Sequence, residues 1–172
     1  LAFVMTIFQK IAASSFAAVQ RTLRRRLIAL TIQEALMHDQ KLDIDPRNAA
    51  LDESRTLIRE LHGIDDGRLG DAEVDRLLAD YRYKILRMQR EEEDALRAGA
   101  DEFASETGAA AAEDAAICSV SVALPEERRR IKDLLAKYPP QRESKVTKLI
   151  DALGVLWQQN PRERMVVFAT YL

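Results

Sequence analysis

Between residues 3 and 38 the chain has neither proline nor glycine, and its apolar side chains return at helical spacing. Phe3, Ile7, Phe8, Ile11, Val19, Leu23, Leu27, Leu30 and Leu36 follow the 3.6-residue period of a helix with one apolar stripe. The spacing predicts a single long helix over residues 3–38. Arg21, Arg24 and Arg25 share one of its faces, with Lys10 upstream, while Arg26 turns away by about 100°. A helix of this length commits the chain to a mainly α fold. Its stripe is then covered by a bundle of the chain's own helices or by a second copy.

The remaining punctuation sorts the chain into further helices. Asp43, Ile44, Asp45 and Pro46 interrupt the first pattern, because the residue before a proline resists helical dihedrals and proline suits a first helical turn. A second helix is expected over residues 47–62, with Gly63 as its C-terminal cap. Asp65, Asp66, Gly67 and Gly70 mark a turn. A third helix opens at Asp71, whose carboxylate can accept from free first-turn amides. It carries Val74, Leu77, Leu78, Tyr81, Ile85, Met88 and Leu96. Glu91, Glu92, Glu93 and Asp94 oppose the helix dipole late in it, so fraying past Arg90 is expected.

From residue 99 to 124 the composition turns alanine-, glycine- and serine-rich, as in a low-complexity linker, and the chain there is expected to be mobile or loosely helical. Pro125, Glu126 and Glu127 open a fourth helix that ends near Lys137, before Pro139 and Pro140. Ser144 caps a fifth, with Val146, Leu149, Ile150, Leu153, Leu156 and Trp157 on one stripe. Met165, Val166, Val167 and Phe168 follow, short and β-branched as a buried parallel strand should be. The expected architecture is therefore about five helices, elongated or bundled, plus one C-terminal strand. Residues 1–98 form a helical spacer, 99–124 a linker, and 125–172 a helix pair leading into the strand.

Charge and composition narrow the chemistry. With 26 basic and 28 acidic residues the net charge is −2, so any nucleic-acid contact must come from a local patch. Arg128, Arg129 and Arg130 form a second such cluster; a solvated helix face is the plainer reading of both. Cys118 is the only cysteine, which rules out an intrachain disulfide and fits a reducing, cytoplasmic setting. The apolar run at the N-terminus is far shorter than the ~20 residues of a membrane span, so no membrane role is expected. It reads as the inside of a larger protein rather than a leader.

No GxxxxGK[ST] loop and no GxGxxG occurs, so the chain cannot assemble an ATP site by itself. His38 and His62 lack partners at metal-ligand spacing. Asp43 and Asp45 lack the glycine and final glutamate of a calcium loop. Ser14 and Ser15 lie within a helix, without the elbow or the histidine a nucleophile needs. No catalytic residue, metal ligand or cofactor site is expected in this segment.

Two separated motifs carry a resemblance. The first is Phe8-Gln9-Lys10-Ile11-Ala12-Ala13-Ser14-Ser15-Phe16-Ala17-Ala18-Val19, running into Arg21-Thr22-Leu23 and Arg26-Leu27. It resembles the lysine, double-serine helix that follows the first motor lobe in bacterial SNF2-type ATPases, nearest to the RapA-like branch. The second is Glu143-Ser144-Lys145, then Lys148-Leu149-Ile150 and Leu153, then Glu163-Arg164-Met165-Val166-Val167-Phe168-Ala169-Thr170-Tyr171. It resembles the helix and strand that open the second lobe and carry helicase motif IV. Glu143 stands where aspartate is usual, and Ala169 where serine or threonine is usual.

The resemblance implies a parent that is a DNA-dependent ATPase, binding ATP and magnesium between two RecA-like lobes outside this segment. The segment would be the helical connector between those lobes plus the first strand of the second. Its partners would be the lobes and duplex DNA. Lys10, Arg21, Arg24, Arg25 and Lys145 are the candidate phosphate contacts, and Val166, Val167, Phe168 and Thr170 the motif IV-like positions. A stand-alone helical module for protein–protein or nucleic-acid binding, without enzymatic activity, is the alternative.

Overall fold

The computed structural model describes residues 16–63, 69–98, 109–119, 126–138, 144–162 and 164. They form six helices: α1 (Phe16–Gln40), α2 (Ile44–Gly63), α3 (Asp71–Ala98), α4 (Ala109–Cys118), α5 (Glu127–Lys137) and α6 (Ser144–Gln159). No strand occurs among the described residues. The chain is mainly α, as the periodicity requires. The expected strand at 165–168 and the first part of the long helix, residues 3–15, lie outside the described residues.

The centre of the fold is α1. Every residue from Arg26 to Ile32 is buried, so this stretch is covered on all sides rather than along one stripe. Four helices do the covering: α2, α3, α4 and α5 each pack on α1. From α2 come Ala50, Ser54, Ile58 and Leu61, and from α3 Val74, Leu78, Tyr81 and Ile85, both at helical spacing. Ile117 of α4 and Ile131 of α5 complete the core. Each fully buried isoleucine contributes about 1.5–3 kcal/mol. Two central hydroxyls bond within their own helices, Thr31 to the Leu27 carbonyl and Ser54 to the Ala50 carbonyl, both at 2.8 Å.

The turn from α1 to α2 is tight. The Asp43 N–H donates to the His38 carbonyl at 3.0 Å and the Leu42 N–H to that of Asp39 at 3.2 Å, which together make a Schellman cap. Leu42 occupies the left-handed position, φ 61°, where glycine is usual.

Two expectations are corrected. Residues 109–118, inside the expected linker, form α4, and its last turn is buried: Ala116, Ile117 and Cys118 face α1 and α3. Small residues permit this, because they let α4 lie close to its neighbours. Beyond residue 124, Ile131 of α5 belongs to the same core cluster as the buried residues of α1. Finally, α3 continues past Arg90 to Ala98. Its late acids are held by Arg87–Glu91 at 2.7 Å, Arg97–Glu93 at 4.0 Å and the Ser119 hydroxyl on Glu92 at 2.6 Å.

Among the described residues α6 packs against no other helix. Leu149, Ile150, Val155 and Leu156 are exposed on it.

Candidate functional site

The four arginines of α1, Arg21, Arg24, Arg25 and Arg26, have different fates. Arg25 is committed internally: its guanidinium donates to Glu113 at 3.0 Å and to Asp114, both on α4. Burial works against its charge, yet Tyr81 and Asp114 outweigh burial and hold its pKa above the ordinary value. Burial raises the Tyr81 hydroxyl as well, against the pull of Arg25. Thr22 adds a bond to Glu113 at 3.2 Å. Arg21 is exposed and Arg24 half-buried.

Arg24 lies on one lip of a shallow groove of about 290 Å³ between α1, α2 and α5. Leu27, Leu57, Leu135 and Ala136 line it, with Glu60 and Lys132 as the other charges. Lys132 is already paired with Glu53 at 2.5 Å.

Arg26, only 2% exposed, is the buried cation among the described residues. It faces α4 and the start of α5. Its Nη1 donates to the carbonyls of Ile117 and Ser119, each at 2.9 Å, and more distantly to that of Ala116 at 3.4 Å. These are free acceptors at the C-terminal end of α4, where a cation also suits the helix dipole. Nε and Nη2 donate to the two carboxylate oxygens of Glu127 at 2.8 and 3.1 Å. Such a fork-on-fork pair is the geometry in which a buried arginine is best compensated. Just before Glu127, Glu126, the N-cap of α5, adopts a left-handed conformation (φ 62°, ψ 10°) without capping the helix through its side chain. That conformation costs about 1 kcal/mol for a non-glycine residue.

The second basic cluster is also largely spent on the fold. Arg128 donates to Thr31 Oγ1 at 3.2 Å and to the carboxylates of Glu34 and Glu53. Arg129 holds Glu126 at 2.7 Å, and Arg130 is exposed. At its far end α5 is tied to the start of α1, where Gln20 bonds the Tyr138 carbonyl and Phe16 meets the Tyr138 ring edge-on at 6.5 Å. The two helices therefore run antiparallel.

Of the other sequence candidates, Lys10, Val166, Val167, Phe168 and Thr170 lie outside the described residues, and Lys145 is placed only by its backbone in α6. Among the described residues no three histidine, cysteine or acidic side chains are grouped to hold a metal ion, and no helix is long and apolar enough to cross a membrane. Cys118 is buried and burial pushes its thiol up to about 11.

The sequence reasoning passed over Arg26 and its partners. A signal was present: Arg26 stands one turn from Leu23 and from Leu30, so it is a cation on an apolar stripe. Its partner Glu127 is not readable from periodicity. No family model matches this chain, and no curated protein or solved structure matches it either.

Proposed function

We propose that this chain is a connector segment of an ATP-dependent SNF2-type DNA translocase, joining and coupling the two motor lobes. The observation that carries the reading is α6. This helix bears Ser144, Lys145, Leu149, Ile150 and Leu153 of the second motif, packs on no other described helix, and exposes Leu149, Ile150, Val155 and Leu156. An exposed apolar face of this kind suits a surface outside the bundle, here the second lobe. The first motif runs into α1, the hub on which the rest of the bundle rests, so a push on α1 is delivered to a packed body rather than to a loose strand.

On this reading ATP and magnesium belong to the flanking lobes, and the location is cytoplasmic. Within the described residues Arg21, Arg24 and Lys145 are the candidates for direct DNA contact on this reading, while Arg25 and Arg128 also hold carboxylates of the fold. The same exposed face of α6 also favours the second reading, a helical module that binds a partner helix without enzymatic activity. ATP hydrolysis by the protein in its complete natural reading frame separates them. The motor reading expects hydrolysis that rises on addition of duplex DNA; an absent or DNA-indifferent activity overturns it.

A further inference from the structure

We propose that Arg26 is a latch that makes the docking of α4 and α5 onto α1 a single cooperative event. The two helices do not pack on each other. Each rests on α1, and α4 also on α3. Among the described residues they share one buried guanidinium, with Nη1 on the carbonyls of Ile117 and Ser119 and its other two nitrogens on Glu127.

The coupling follows from charge and burial. If α5 lifts, it takes Glu127 away and leaves Arg26 as a buried cation with neutral acceptors only. A buried charge without its counter-ion is strongly unfavourable, so the guanidinium turns to water. The α4 carbonyls then lose their donor, and α4 holds to α1 less firmly. Lifting α4 removes carbonyls from the same guanidinium and loosens its hold on Glu127. A coupling of this kind is necessarily reciprocal. Among the described residues the other ion pairs of these helices run elsewhere: Glu113 and Asp114 tie α4 to Arg25, Asp114 also to Lys84, and Arg128 ties α5 to Glu34 and Glu53. The inference rests on the fold alone and not on the motor reading, so it stands or falls independently of ATP hydrolysis.

Hydrogen exchange on the whole chain tests it, read at amides in each unit. For α4 the reporter is the Ser119 N–H, bonded to the Ala115 carbonyl at 2.9 Å. For α5 the reporters are the N–H groups of Arg130 and Tyr138, bonded at 3.0 Å to the carbonyls of Glu126 and Leu134. Interior amides of α2 serve as control. In Glu127→Gln the latch expects exchange to speed up by at least about tenfold in α4 as well as α5, and by less than about twofold in α2. Acceleration confined to α5, or equal acceleration in all three helices, overturns it. Should the variant fail to fold, the unsubstituted chain decides the matter in low denaturant. There, α4 and α5 reporters sharing one opening free energy and one denaturant slope support the latch, and separate openings overturn it.

Discussion

Arg26 and Glu127 lie 101 residues apart in sequence and meet through paired hydrogen bonds of 2.8 and 3.1 Å. Removing Arg26 takes the buried half of this pair from Glu127 and the donor from the carbonyls of Ile117 and Ser119, at a cost of about 3–5 kcal/mol. Arg26→Ala is therefore expected to lower the unfolding free energy by that amount in urea titrations followed by circular dichroism. Arg26→Met combined with Glu127→Leu removes both charges and should recover only part of the loss. The carbonyls of Ile117 and Ser119 remain without their donor, and each unsatisfied acceptor costs about 1–3 kcal/mol. Full recovery by the double variant would show that the carbonyl bonds contribute nothing.

Cys118 is expected to be inert in the native chain and to impose a pH dependence. Burial is the largest cause of its raised pKa, with Asp114 adding to it and Lys84, Arg25 and Arg26 opposing. The unfolded thiol titrates near its ordinary value of about 8.5. Between there and about 11 the native state keeps a proton that the unfolded state has released. The stabilisation is thus fully present below about pH 8.5 and is lost as pH rises through the native value, by roughly 3 kcal/mol in all. Subtracting the stability curve of Cys118→Ala from that of the unsubstituted chain isolates this slope. A thiol reagent at pH 8 should label the chain only once urea has unfolded it.

Leu42 is 85% exposed and holds a left-handed conformation that its side chain disfavours. Leu42→Gly relieves that strain, partly offset by the greater freedom of glycine in the unfolded chain. A net gain of about 0.5–1 kcal/mol is expected, a rise of roughly 2–3 °C in melting temperature for a chain of this size. Leu42→Ala keeps the Cβ and should bring no comparable gain. Equal gains from both would place the cause in the lost apolar exposure instead.

The parts of the fold that were legible in the sequence are those set by local rules. Val74, Leu78, Tyr81 and Ile85 declare α3 by their spacing, and Pro46 and Ser144 mark where helices begin. What stayed hidden depends on partners distant in sequence. The run containing Ala109, Ala110, Ala111 and Ala112 has no amphipathic pattern of its own, so α4 becomes visible only when Ile117 and Cys118 are seen against α1 and α3. The acidic end of α3 looks unstable by dipole logic alone, and Ser119, 27 residues further on, is part of what holds it. Likewise the arginines looked equivalent as charges. Only the positions of Glu113, Asp114 and Glu127 separate the ones committed to folding from those still facing solvent.

That separation carries a last prediction, on nucleic-acid binding. Each phosphate neutralised by a cation releases counterions, so the logarithm of affinity falls against the logarithm of salt concentration with a slope of about −0.9 per contact. If Arg21 and Arg24 touch the DNA backbone, replacing both with glutamine reduces that slope by about two in fluorescence titrations against duplex DNA. Arg25→Gln should behave in the opposite way. It takes the guanidinium from Glu113 and Asp114, which among the described residues keep only Thr22 and Lys84, and is expected to destabilise the chain by about 1 kcal/mol while leaving the slope unchanged. A slope that falls equally in both variants would mean that Arg25 leaves its carboxylates to reach DNA, and a flat salt response in the unsubstituted chain would remove the phosphate contact altogether.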